Sequence, residues 1–525
     1  MEIAVKDIRL AVAACALLAV LAPGQQGLEG ADLLSPEAAA RVGMVESWRR
    51  QLSLIGGAQS AVDIKFRIDG KHERHYVEIS RQHEGVTEVL NRRDVNQLDR
   101  FGQPLGLDEA MRLSKLEAMR WKRRKVETEI SERKVRQMRI YTVGRDGTIE
   151  VRDGETGELI WVTRQGNPDL FSGGVGANDD FVAFVNGTIV YQIDAANGRF
   201  IRKTPMRGTP LAGCVIADRH ALVPTTHNGV EGFPLYENDE LPFLEIVPGR
   251  ISTKPVRGLG RAYTAFATES RYFYVIETEG EPSAMFRLQT DGVVSSDIAV
   301  ADLNRFICAS ESGQVYAIQA TRSGKLLWRQ SLGQPVYSGV FVSGERVFVS
   351  TAYKNLFCLE LGSGELAWRG PVAQIDRVLA VADGHVFVRT NSNRLAVLDI
   401  ESGARVADLK ELVIETVVPN RLSDRLYLIG RGGMMQCLRP ISSPLPKYDI
   451  AGDPRQIDED SADGTDPYSA PAPADKSTQP QAPDPFGGQA APDPFGAGDA
   501  DPFAPTGDMA DPFGGDPFGG DPFGG

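Results

Sequence analysis

Histidine is scarce in this chain, with six in 525 residues, at 72, 75, 83, 220, 227 and 385. Only His72 and His75 are close in sequence, and their place beside a turn reads as a surface strand rather than a metal site. No two cysteines are adjacent and no Cys-x-x-Cys-His occurs, which excludes haem attachment of that type. Cys214, Cys308, Cys358 and Cys437 stand in apolar, strand-like contexts whose spacings match no zinc site, so they read as small buried residues. No phosphate-cradling glycine loop and no Ser/His/Asp spacing rises above chance. Long apolar runs are missing too. The run 10–22 follows Lys6 and Arg9, ends at Pro23-Gly24, and is too short to span a bilayer. It has the proportions of a secretory signal peptide over residues 1–24, which predicts export and no membrane span in the mature chain. Val12-Ala-Ala-Cys15 superficially matches a lipoprotein box, but Cys15 lies inside the apolar run, which favours a soluble exported protein and leaves lipidation open.

The folded part also lacks net charge. The chain carries 70 acidic and 57 basic residues, but from Asp449 onward there are 16 acids and two bases, leaving 54 acids against 55 bases before it. A nearly neutral body gives no bulk attraction for nucleic acid.

What the sequence does have is a repeated sentence. It reads Asp153-Gly-Glu-Thr156-Gly157-Glu-Leu-Ile-Trp161, then Gln319-Ala-Thr-Arg-Ser323-Gly324-Lys-Leu-Leu-Trp328, then Glu360-Leu-Gly-Ser363-Gly364-Glu-Leu-Ala-Trp368. Asp194 to Gly198 and Asp399 to Gly403 repeat it without tryptophan. Asp followed by Ser/Thr/Asn-Gly is a tight turn, with polar side chains bonding local amides and glycine supplying a positive φ. A second turn precedes each one, so every unit reads as a small antiparallel sheet. Inner hairpins fall near 147, 187, 229, 282, 313, 354, 393 and 433, a spacing of roughly 40 residues that belongs to β-propellers. The third and fourth units are degenerate, so eight blades are expected, with seven as the alternative.

The motif Val151-x-Asp153-x-x-Thr156-Gly157-x-x-x-Trp161 resembles the tryptophan-docking motif of the pyrroloquinoline-quinone-like (PQQ-like) propeller family. That family includes quinoprotein enzymes and a non-catalytic branch with the propeller lipoprotein of the outer-membrane β-barrel assembly machinery. The resemblance covers about residues 139–440. It implies an all-β propeller in which Trp161, Trp328 and Trp368, with Gly157, Gly324 and Gly364, dock one blade on another. The catalytic relatives use PQQ, Ca²⁺, an aspartate and, in alcohol dehydrogenases, a disulfide between adjacent cysteines. This chain has no such cysteine pair, and isolated acids such as Asp302 or Asp376 are expected to be solvated. No catalytic residue, cofactor or metal site is therefore assigned.

Residues 31–138 form a separate segment. Ser35-Pro36-Glu37 opens a helix expected to run to Leu54. Alternation across 62–79, turning at Gly70-Lys71, predicts a β-hairpin. A polar helix is expected from Leu107 to Val135, its basic run at 120–125 reading as a solvated face. The first and last blades each lack a strand, 415–418 being expected as part of the last, and the 62–79 hairpin is expected to complete one of them. Residues 441–525 are rich in Pro, Asp, Ala and Gly and are expected to be disordered. They hold six Asp-Pro-Phe copies, whose Phe486, Phe495, Phe503, Phe513, Phe518 and Phe523 form a candidate multivalent interaction motif. The expected function is an exported, non-catalytic scaffold for protein partners in the bacterial envelope, periplasmic or extracellular, with outer-membrane protein assembly as a specific case. The alternatives are a PQQ-dependent alcohol or sugar dehydrogenase and an adaptor acting through the Asp-Pro-Phe tail.

Overall fold

A computed structural model describes residues 33–448, apart from 84–85, 99–100, 238–239, 260–262, 280–281, 303 and 338. The expected signal peptide, Cys15 and the Asp-Pro-Phe repeats lie outside the described residues. The described residues form eight antiparallel sheets in chain order, and the architecture is a multi-bladed β-propeller. Blades 2 to 7 span 172–205, 215–246, 256–289, 299–331, 340–373 and 375–413, each a four-stranded meander. Eight apolar clusters lie between successive blades, the last joining blade 8 to blade 1, so the ring is closed.

The inner hairpins explain the period. Gly147, Gly187, Asn228, Arg271, Gly313, Lys354, Asn393 and Gly433 all have φ between 58° and 83°, the left-handed conformation these turns require. The fourth unit turns at Arg271, not near 282 as expected. No glycine marks that turn, and the 40-residue spacing is more regular than the glycines suggested. The outer turn of blade 1 follows the Asp-Ser/Thr-Gly logic, with Asp153 Oδ1 accepting from the Glu155 and Thr156 amides at 2.9 and 2.8 Å.

The N-terminal segment departs most from expectation. Helix α1 covers only Pro36–Arg41, capped by Ser35 Oγ, which accepts from the Ala38 amide at 3.2 Å. Gly43, with φ 72°, ends it. Strand β1, Met44–Gln51, then pairs antiparallel with Met434–Pro440, from Met44 opposite Pro440 to Gln51 opposite Met434. Blade 8 therefore takes its two inner strands from the C-terminal end of the propeller and its outer strand from 390 residues earlier in the chain. The fully buried Gln436 amide fastens this closure, donating to Leu34 O at 2.9 Å and accepting from Leu34 N at 3.0 Å. Blade 8 has three strands, and 415–418 is not one of them.

Strand β2, Ala61–His83, runs for 23 residues without the hairpin expected at Gly70. The chain makes a local irregularity there instead, where buried Asp69 accepts from the Lys71 amide at 2.8 Å and pairs with Arg139 at 2.7 Å. Residues 61–68 form the innermost strand of blade 1, against the inner part of β4, Glu129–Gly144. Outside the blade, 73–80 pair with 129–136, and β3, Val86–Asp94, adds a third strand. Blade 1 is completed by β5, Thr148–Asp153, and β6, Leu159–Arg164, in the order β3-β2-β4-β5-β6. The three-stranded arm carries helix α2, Leu107–Arg123, on a small core of Val77, Val95 and Ala110. That helix stops twelve residues earlier than expected because Lys125 turns left-handed at φ 62° and the Val126 amide returns to Trp121 O at 3.1 Å. The boundary expected at 138/139 falls inside β4, so the arm and blade 1 share their strands.

Candidate functional site

The most organised side-chain chemistry lies at the blade junctions. Trp161 Nε1 donates to Ala195 O of blade 2 at 2.9 Å, Trp328 Nε1 to Leu361 O of blade 6 at 2.9 Å, and Trp368 Nε1 to Ile400 O of blade 7 at 2.9 Å. Each indole lies on a turn glycine of the next blade. A Cβ at Gly198, Gly364 or Gly403 would come within 2.6, 2.5 or 2.7 Å of the ring, so the site needs both the positive φ and the missing side chain. The predicted Gly157, Gly324 and Gly364 therefore meet the residue of the preceding blade, not the tryptophan four positions on.

Gly157 meets Trp48, whose Nε1 donates to Gly154 O at 2.8 Å. Gly324 meets Phe286 of blade 4, and Arg202 fills the slot in blade 2 with its guanidinium on Pro234 O. Sequence reading missed Trp48 and Phe286. A signal for Trp48 exists, in Gly43 five residues before it, one position longer than Gly157 to Trp161. The ladder shows that the slot is nevertheless the same. In β1 the register jumps from Glu46 opposite Leu438 to Trp48 opposite Cys437, leaving Ser47 bulged. Ile160, Ile201, Met285, Leu327 and Val406 are bulged in the same way just before the equivalent slots. A β-bulge bends the edge strand and re-aims the following side chain, here toward the neighbouring blade.

Across the junction of blades 8 and 1, Arg425 is fully buried. It donates from Nε and Nη2 to Glu155 at 3.1 and 3.0 Å and from Nη1 to Asp424 at 2.8 Å. Arg425→Met leaves both carboxylates without their cation and is expected to cost about 3 kcal/mol, while Arg425→Met with Glu155→Leu recovers part of that loss. Urea titration of the two variants checks this.

A cavity of about 560 Å³ opens between the first turns of blades 5 to 8. Its charged lining is mixed, with Asp302, Glu345, Asp383 and Asp424 facing Arg305, Arg421 and Lys447. Asp302 pairs with Arg305 at 3.1 Å. Asp376 is not solvated as expected: it is held by Lys354 at 2.5 Å and by Arg389 Nε at 2.9 Å, because its position between those bases makes it the anchor of a local network. Burial pushes its carboxyl up, but the hydrogen bonds from Lys354 and Arg389 outweigh this and hold it below the usual carboxylate range. A depressed folded value means a contribution present above the unfolded value and lost as pH falls through the folded one. Asp376→Asn should thus cost about 1.5 kcal/mol at pH 7 and nothing at acid pH below both values, read by denaturant midpoints across pH.

His72 Nδ1 lies 2.9 Å from Asp69, whereas His75 lies 3.6 Å from Glu132, so the two imidazoles answer to different carboxylates. Among the described residues no group of three or more His, Cys, Asp or Glu is placed to hold a metal ion. The four described cysteines are buried and unpaired, and burial pushes Cys214 up to about 11 and Cys358 to about 12. Such thiols are poor nucleophiles. The candidate interaction phenylalanines of the tail lie outside the described residues.

Comparison with known proteins gives three findings. Residues 291–437 match the family model described as outer membrane protein assembly factor BamB. Outer membrane protein assembly factor BamB of Yersinia pestis is 20% identical over 315 residues, covering 55% of this chain and 69% of that protein. Among solved structures, BamB from Moraxella catarrhalis is 16% identical with a TM-score of 0.45, over 57% of this chain and 91% of that one. Apo AztD from Citrobacter koseri is 14% identical with a TM-score of 0.41, over 66% and 97%.

Proposed function

We propose that this PQQ-like propeller, which resembles BamB, is an exported, non-catalytic scaffold that binds protein partners during outer-membrane protein assembly. The observation that carries the reading is the family-model match over 291–437, the same stretch that holds Trp328 and Trp368. The site chemistry agrees with it. The repeated Trp, Gly and Asp residues are committed to turns and junctions, and we assign Trp161, Trp328, Trp368, Gly157, Gly324 and Gly364 to blade docking rather than to a ligand. Asp302 and Asp376 are engaged by arginine and lysine.

Location in the periplasm, beyond a cleaved leader, goes with this role. Among the described residues no helix is long and apolar enough to cross a membrane. The Asp-Pro-Phe tail is proposed as a second, multivalent contact on the same scaffold.

Photo-crosslinking in intact cells from positions on the blade loops, followed by identification of the attached chains, tests the proposal. Envelope proteins of the assembly pathway are expected, and a chain lacking residues 449–525 should lose only a subset. Dye-linked alcohol or sugar oxidation after adding PQQ and Ca²⁺ would replace the scaffold by a quinoprotein dehydrogenase.

A further inference from the structure

We infer that the outward face of α2 is a docking surface for an anionic lipid bilayer. Ala110 and Ser114 turn this helix inward onto the arm. Lys115, Leu116, Met119, Arg120, Lys122 and Arg123 are all exposed, and at 3.6 residues per turn Leu116, Met119 and Arg123 stand opposite Ala110 and Ser114, with Lys115 beside them and Arg120 and Lys122 on the two flanks. Because α2 sits where β2 and β4 have left blade 1, this face belongs to no blade junction.

Two observations select the occupant. The first is charge: Asp108 and Glu109 stand in the first turn, and beyond it the helix carries one acid, Glu117, on its inward side. Glu109 is paired with Arg112 at 2.6 Å, and Glu117 turns to Arg93 at 2.6 Å and Asn91. Lys115, Arg120, Lys122 and Arg123 have no ion pair among the described residues, and the basic run continues through Arg124 and Lys125. The folded part of the chain is close to neutral, so this is a local concentration of positive charge and not a share of a general excess. The second is apolar: Met119 is 58% and Leu116 44% exposed in the middle of the cations. A phosphate-rich polymer would engage the basic groups and leave both side chains in water. A bilayer interface takes lysine and arginine at the headgroups and buries leucine and methionine at the acyl boundary. The inference is independent of the scaffold reading.

The test is co-sedimentation of the full chain with vesicles of phosphatidylcholine alone or with phosphatidylglycerol added. Binding is expected only to the anionic vesicles and should weaken as salt is raised. Reversing Lys115, Arg120, Lys122 and Arg123 to Glu should lower partitioning by about a hundredfold. Leu116→Ser with Met119→Ser should lower it by about tenfold while leaving retention on heparin unchanged. All six positions are exposed, so both variants are expected to melt like the parent, which separates lost docking from lost folding. Absence of binding to phosphatidylglycerol vesicles, or parental binding by the charge-reversed variant, overturns the inference. Unchanged vesicle binding by the serine variant also overturns it, and assigns the face to a soluble polyanion.

Discussion

A chain that begins at residue 61 should fail to form a stable propeller. Residues 33–60 supply β1, without which the seven residues of Met434–Pro440 become an open edge and blade 8 falls to two strands. They also bury Leu34, Val42, Met44, Trp48, Leu52 and Leu54 in the two clusters that flank blade 8. At about 1.5–3 kcal/mol for each buried large side chain, the loss is comparable to the whole stability of a typical domain, about 5–15 kcal/mol. Circular dichroism and size-exclusion chromatography should show an aggregated or non-cooperative product, because a two-stranded blade also leaves apolar faces of blades 7 and 1 in water. A monomer with a sharp melt near that of the parent would show that the ring does not depend on this strand. Truncation after Tyr448 should leave the melting temperature unchanged, since the removed sequence is too poor in apolar residues to build a core.

Trp48→Ala should be about as damaging as Trp328→Ala, each lowering stability by about 3–5 kcal/mol, the range for truncating a buried large aromatic. Trp48 is 5% and Trp328 9% exposed, and each gives up an indole hydrogen bond and the filled space over a glycine of the next blade. Trp121 is the control. It stands on α2 at intermediate exposure, outside the ring, and its replacement should move the denaturation midpoint by under about 1 kcal/mol. Equal effects at all three positions would remove the docking account. Gly157→Ala tests the same contact from the other side, because the new methyl would stand 2.6 Å from the Trp48 ring at a φ of 68°. It should reproduce much of the Trp48→Ala loss.

The turns and the strand order of blades 5 to 7 were legible because their information is local. A Ser-Gly pair within six residues of Gln319, Glu360 or Asp399 specifies the outer turn, and short alternating segments on either side have only one economical pairing. The tryptophan slot was legible for the same reason wherever it falls four residues after the glycine. At Trp48 one more residue separates the glycine from the bulge, and at Phe286 a different aromatic fills the slot, so the pattern breaks although the contact survives. Arg271 shows the converse, a left-handed turn whose residue type gives no hint of it.

By itself the sequence determined the repeat, the meander of blades 5 to 7 and the turn glycines on which a side chain of the preceding blade rests. Only the tertiary structure decided how the ring closes and where the arm leaves it. Residues 44–51 follow a capped helical turn and carry no strong strand signal, and what makes them β1 is the unpaired edge of Met434–Pro440 and the Gln436 amide waiting for Leu34. Residues 61–83 read as two strands joined at Gly70-Lys71, and what makes them one is β4 continuing past blade 1 to pair with both halves. A turn is settled by the few residues that make it. The identity of an outer strand is settled by backbone groups that must find partners hundreds of residues away.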